Sequence, residues 1–163
     1  MEQLWAPWRY AYVAGPKESS KTDDCFLCRA LAESDDRANL VAWRGPRCCV
    51  VLNRFPYNNG HLLIAPNGHK AHLSELDDDE SLAIHKTIAR MVSVLEEAIK
   101  PEAFNLGVNL GRAAGAGLPG HLHWHIVPRW AGDSSFMTVC SDTRVIVQSL
   151  DSLYDLLVAR LKE

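Results

Sequence analysis

The segment Gly120-His121-Leu122-His123-Trp124-His125-Ile126-Val127-Pro128-Arg129-Trp130 places three of the chain's seven histidines at alternate positions. Successive side chains of a β-strand leave on opposite faces. The spacing therefore predicts His121, His123 and His125 on one face and Leu122, Trp124 and Ile126 on the other. At a rise of about 3.3 Å per residue, same-face neighbours stand about 6.6 Å apart. That interval suits groups acting on successive oxygens of an extended ligand. Near neutral pH imidazole can serve as nucleophile, proton carrier or metal ligand. Two plainer readings stay open at this level: a solvent-facing strand that merely carries histidines, and a mononuclear metal site using all three. The second lacks an HExxH-type partner.

Just upstream runs Asn105-Leu106-Gly107-Val108-Asn109-Leu110-Gly111-Arg112-Ala113-Ala114-Gly115-Ala116-Gly117-Leu118-Pro119-Gly120. Gly115 to Gly120 matches GxGxxG literally, but a dinucleotide fingerprint needs a helix after it, and here Pro119 and the histidine strand follow. The reading that remains is a loop without side-chain bulk beside the histidines, either a plain hairpin connection or a nest of backbone N–H groups that cradles phosphate. Cys25-Phe26-Leu27-Cys28 is a lone CxxC. Alone it fits two core thiols, a redox pair or half of a zinc site. His69, His72, His85 and His121 are the histidines available to complete a Cys2His2 set. His85 flanks a helical apolar stripe and reads as a helix residue. The adjacent Cys48 and Cys49 read as packing residues on opposite faces of a strand.

Positioning these groups requires a sheet and at least one helix. Ile84, Ile88, Met91, Leu95 and Ile99 recur at three- and four-residue intervals and predict an amphipathic helix over 77–99. Ser74 with Asp77 is a candidate capping box at its start, four acidic residues suit the helix dipole there, and Lys100-Pro101 ends it. Strands are predicted at Leu40 to Arg44, Cys48 to Asn53, His61 to Ala65, Phe104 to Leu110, His121 to Pro128 and Val145 to Gln148. Shorter helices are expected at Phe26 to Glu33 and Leu150 to Leu161. The fold class is α+β: an antiparallel sheet of about five strands with the long helix on one face. Residues 1–14, with Trp5, Trp8, Tyr10 and Tyr12, read as an aromatic arm, 15–24 as a linker, 25–130 as the domain and 131–163 as a C-terminal extension packed on it.

With 163 residues, 47% of them hydrophobic, and a net charge of -3, the composition is that of one soluble globular domain. Seventeen basic against twenty acidic residues lacks the basic excess of a general duplex binder, so bulk nucleic acid is not expected as a partner. No apolar run reaches the roughly 20 residues that span a bilayer, and the opening MEQLWAPWRYAYV lacks a signal peptide's pattern, so a cytoplasmic setting is expected. Five cysteines, an odd number, argue for reduced thiols or a metal site rather than a disulfide framework.

The string HLHWHIV, together with the upstream LNRFPYNNGHLLIAP, resembles the histidine triad family of nucleotide hydrolases and transferases. The opening LWAPWRYAYV, the GHLLIAP block and the PRWAGDSSFM continuation are similar to the branch that cleaves diadenosine polyphosphates, including bacterial diadenosine tetraphosphate phosphorylases. The resemblance implies that His123 attacks the α-phosphorus to form a nucleotidyl-imidazole. It implies that His125 donates a hydrogen bond to the phosphate or bridging oxygens, and that His61 lines the same phosphate site. It assigns Asn53 to the ribose hydroxyls, Val51 and Leu63 to the purine, and Asn109, Gly115 and Gly117 to the phosphate loop. In metal-bearing members the zinc positions correspond to Cys25, Cys28, His69 and His121. Magnesium is a further expected companion of the substrate polyphosphate, and a homodimer is implied.

One departure from the family pattern matters. Many members carry Gln and then Ser or Thr in the loop before the triad, where this chain has Ala114-Gly115-Ala116-Gly117-Leu118-Pro119-Gly120. The absence of that hydroxyl favours a polyphosphate leaving group, already a stable anion, over a phosphoramidate, whose amine must be protonated as it departs. A nucleoside phosphoramidase and a nucleotide-binding sensor or interaction protein with slow turnover are the alternatives. Phosphate and water both remain open as acceptor.

Overall fold

The computed structural model describes residues 25–133 and 145–162. Helix α1 (Phe26–Ala32) leads into strands β1 (Val41–Arg44), β2 (Cys48–Leu52) and β3 (Leu62–Pro66). A one-turn 3-10 helix (Leu73–Glu75) precedes helix α2 (Asp78–Ile99), and β4 (Ala103–Val108), β5 (Trp124–Arg129) and α3 (Leu150–Leu161) follow. The five strands form one sheet in the order β1-β2-β3-β5-β4. Every adjacent pair is antiparallel. Strand β5, which carries the last triad histidine, thus lies between β3 and β4. The α+β class and the sheet of five strands are as the pattern predicts.

The register decides what each face holds. Val51 pairs with Leu63, Leu63 with His125, and His125 with Gly107, so these four form one row across the sheet. The adjacent row, Val50, Ile64, Trp124 and Val108, points to the opposite face. Helix α2 covers this second face: its Thr87 hydroxyl lies 3.3 Å from Cys48 Sγ, and Ile84, Met91 and Leu95 are buried. Leu52, Leu62, Ile64 and Ile126 complete that core layer, each at most 2% exposed. The periodicity of the helix is therefore the cause of the division: an apolar stripe must be buried, and doing so leaves the face of Asn53, His61 and His125 for other work.

Helix α3 packs on β1 and α2 through buried Leu153, Tyr154 and Leu157. The Tyr154 hydroxyl donates to the Val41 carbonyl at 3.2 Å, and Arg160 pairs with Glu97. No helix among the described residues is long and apolar enough to cross a membrane.

Two local expectations are corrected. The capping box of α2 is Asp77 with Glu80, each side chain reaching the other's backbone N–H. Ser74 instead belongs to the separate 3-10 turn, which Glu75 closes by accepting from the N–H groups of Ala71 and His72. Residues Val145 to Gln148 are irregular rather than a strand. Their V-x-V alternation has no strand partner among the described residues, and Val145 and Val147 are exposed. The arm at 1–14 and the linker at 15–24 lie outside the described residues.

Candidate active site

Strand β5 begins at Trp124, so the three histidines do not form one row. His121 precedes the strand, and its ring turns toward the CxxC. The reason lies in the local bonding. His121 Nε2 is 2.9 Å from the Pro66 carbonyl, which can only accept, so Nε2 carries the proton and Nδ1 offers a lone pair. That lone pair lies 3.3 Å from Cys25 Sγ and 3.5 Å from Cys28 Sγ. Cys25 is the N-cap of α1, its sulfur accepting from the Cys28 N–H at 3.4 Å, so the start of the helix turns both sulfurs to one side. His69 Nδ1 closes the group at 3.2 Å from Cys28 Sγ.

The four ligand atoms all lie within 4.8 Å of one another, and the set can hold a metal ion. Tetrahedral zinc with Zn–S of about 2.3 Å and Zn–N of about 2.0 Å has ligand–ligand edges of about 3.5 Å, so the donors fit that ion. The Pro66 carbonyl is the outer partner that fixes the His121 tautomer. Burial, with Cys25 beside it, pushes the Cys28 thiol up to about 11; a bound cation is what would make it a thiolate. His72 and His85 take no part: His72 caps the 3-10 turn, and His85 bonds the Ser81 carbonyl.

His123, His125 and His61 converge on the other face. His123 Nδ1 lies 2.8 Å from the His121 carbonyl and donates to it, which leaves the Nε2 lone pair outward. The Tyr57 backbone N–H reaches His61 Nδ1 at 3.0 Å, and the Asn53 amide nitrogen reaches it at 3.2 Å. Both are donors, so His61 carries its proton on Nε2 and gives it to His125 Nδ1 at 2.9 Å. His125 in turn bears its proton on Nε2, a buried atom without a hydrogen-bond partner among the described residues. Two neighbouring rings, with centroids 5.1 Å apart, thus present opposite functions: a lone pair on His123 and an N–H on His125. Burial lowers both pKa values, that of His125 to about 4 with His123 adding to the effect, so both rings are neutral at pH 7.

The loop from Asn53 to His61 holds this arrangement. Asn53 Oδ1 accepts from the Phe55 N–H at 2.9 Å, and the Asn53 N–H donates to the His61 carbonyl at 3.0 Å. Gly60 sits at φ +78°, where a Cβ would stand 2.5 Å from Ile99 Cδ1 and 3.0 Å from Pro128 Cγ. Only glycine lets the chain pass over α2 there. Asn58 anchors the loop to the end of β5 by donating to the Pro128 carbonyl and to Asp133. Asp133 also accepts from Arg129 and from the Trp130 N–H, and the Arg129 guanidinium holds its carboxyl down at about 2.

Val51 and Leu63 lie next to each other on the His125 face, both buried. Gly115, at φ +90°, stands beside Asn109, whose Nδ2 is 3.9 Å from where its Cβ would be. At Gly117 an added Cβ would meet nothing within 4 Å. Spacing did not point to Tyr57, Asn58 or Asp133. The YNN turn signal between two strands was the one available hint of a shaped loop there, and it names no partner.

A family model described as the HIT domain matches residues 37–132. The chain belongs to the HIT family. A HIT relative, the AP-4-A phosphorylase of Mycobacterium tuberculosis, is 36% identical over 156 residues, covering 92% of this chain and 79% of its own. This HIT chain is an enzyme of that family. Its fold is shared by the crystal structure of a Zn-bound histidine triad family protein from Mycobacterium smegmatis, with a TM-score of 0.69 and 22% identity over 87% of this chain and 96% of that one. The crystal structure of the hypothetical histidine triad nucleotide-binding protein ST2152 from Sulfolobus tokodaii has a TM-score of 0.67 and 23% identity, covering 85% of this chain and 92% of that one.

Proposed function

We propose that this HIT enzyme cleaves diadenosine tetraphosphate or triphosphate at the α-phosphate through a nucleotidyl-histidine, and that phosphate or water resolves it. The observation that carries the reading is the pair of opposite nitrogens: the outward lone pair of His123 beside the N–H of His125, which meets no acceptor among the described residues. The relative named a phosphorylase supports the substrate class. His123 Nε2 attacks the α-phosphorus, and the bond from that phosphorus to the bridging oxygen breaks. The departing nucleotide keeps the electron pair as a phosphate anion. His125 Nε2–H donates to the oxygen that gains charge, and its fixed tautomer makes it a donor before the substrate arrives. An oxygen of phosphate or water then attacks the same phosphorus and loses its proton to solvent, while the P–N bond returns its pair to Nε2.

Asn53 is assigned to the ribose hydroxyls, Val51 and Leu63 to the purine, and Asn109, Gly115 and Gly117 to the phosphates, with magnesium expected on the polyphosphate. Cys25, Cys28, His69 and His121 would hold zinc as a closed structural site. Bound there, zinc would supply rigidity rather than a reaction step. It would fix His121, whose carbonyl orients His123. A homodimer through the open edge of β4, where Leu106 is 54% exposed at the end of a buried row, fits that edge strand. The four described cysteines are free, which fits the cytoplasmic setting.

The test is chromatography of the products from diadenosine tetraphosphate with and without inorganic phosphate. ADP and ATP that form only with phosphate identify a phosphorylase; AMP and ATP in either buffer identify a hydrolase. His123→Asn is expected to bind nucleotide and lose turnover by about a thousandfold or more. Equal turnover in the variant would overturn the covalent step.

A further inference from the structure

We propose that Tyr57 is a positioning residue of this site, its ring acting as a plate that keeps the His61–His125 pair in a single proton arrangement. The proposal rests on the reading of His125 as the hydrogen-bond donor to substrate. Two separate contacts support it. The Tyr57 ring lies 4.5 Å from the His61 ring, tilted by 43°, and 5.7 Å from the His125 ring, nearly parallel at 18°. It therefore covers one side of the hydrogen bond that joins the two imidazoles. The backbone N–H of the same residue is the donor that fixes His61 Nδ1 as an acceptor.

The ring's position has a chemical consequence. Neutral imidazole exchanges its proton between nitrogens through water, and the relay from Tyr57 N–H through His61 to His125 sets one direction only while water is kept from it. Tyr57 is half-exposed, so its outer side meets solvent while its inner side shields the pair. Among the described residues, the titratable groups facing His125 are His123, just before its strand, and His61 and Tyr57 from the loop before β3; β3 and β4 place Leu63 and Gly107 opposite it. No acid stands among these groups. Shielding is then the means by which the neutral donor is kept.

Substitution separates the ring from the hydroxyl. Tyr57→Phe keeps the plate and is expected to retain activity within about threefold, whereas Tyr57→Ala is expected to lower kcat at least about tenfold with a smaller change in KM. Imidazole 15N spectra read the arrangement directly. In the unaltered protein and in Tyr57→Phe, His125 is expected to show a protonated Nε2 and an unprotonated Nδ1. In Tyr57→Ala the two nitrogens are expected to average, and the acid limb of kcat/KM to rise toward the ordinary histidine value of about 6.5. Wild-type 15N signals and an unmoved acid limb in Tyr57→Ala would overturn the proposal, as would a fall in Tyr57→Phe equal to that in Tyr57→Ala. If the unaltered protein cleaves no diadenosine polyphosphate, the proposed substrate fails, and the 15N spectra still decide the role of Tyr57.

Discussion

His121, His123 and His61 are each assigned a task by the backbone group they touch, and His125 takes its own from the His61 ring. His121 gives its Nε2 proton to Pro66, His123 gives its Nδ1 proton to His121, and His61 accepts at Nδ1 from Tyr57. Alternation along HLHWH was enough to place His123 and His125 with Trp124 and Ile126 behind them. It could not show where the strand ladder begins, because that depends on which residues of β3 and β4 are opposite. The ring of His121 was misplaced for that reason. The burial that keeps His125 neutral also has a cost in acid. Its folded pKa of about 4 lies below the ordinary 6.5, so unfolding takes up a proton between those values and stability falls as pH drops through that window. His121 and His123, lowered in the same sense, add to it. Urea midpoints at pH 7.5 and pH 5 are expected to show the loss, and the His125→Gln variant a smaller one. An unchanged midpoint at pH 5 would contradict the burial account.

At the scale of elements, the loop between β2 and β3 is the part that shapes the site, and its turn residues were legible while its contacts were not. Pro56 to Gly60 reads as turn chemistry from composition alone. That Gly60 must also clear Ile99 is a fact of how α2 crosses the sheet, which no local pattern records. Gly60→Ala combines a left-handed φ with a Cβ 2.5 Å from a packed side chain. It is expected to destabilise the fold by about 1–3 kcal/mol. Because His61 is the next residue, kcat is expected to fall as well. Thermal unfolding and turnover measured on one preparation check both, and a variant that matches the unaltered protein in each would show that the loop yields without consequence. Helix α2, by contrast, was legible almost to the residue, since a long apolar stripe between an acidic start and a proline stop leaves little freedom.

For the molecule as a whole, the Cys/His cluster ties together segments far apart in the chain. Cys25 and His121 are 96 residues apart and meet within 3.3 Å. CxxC announced two donors, but nothing in its spacing chose His69 and His121 over His72 and His85; only the resemblance did, and the fold brings that set together. Metal analysis of protein prepared without chelator is expected to return about one zinc per chain, and chelation to lower the unfolding temperature. Well under one zinc would remove that assignment. A link closing so long a loop stabilises mainly by restricting the unfolded chain, a contribution of up to a few kcal/mol that grows slowly with loop length.

The same geometry bears on the order in which the protein is made. A growing chain releases Cys25, Cys28 and His69 into its surroundings well before His121, and His61 before its partner His125. Until β5 has emerged and slipped between β3 and β4, the ribosome carries a helix with two bare sulfurs and a sheet open at β3. Insertion of that single strand completes the sheet and the histidine pair, and His121, just ahead of it, completes the donor set, so a nascent chain stalled before His121 holds most of the protein's residues and neither of its sites.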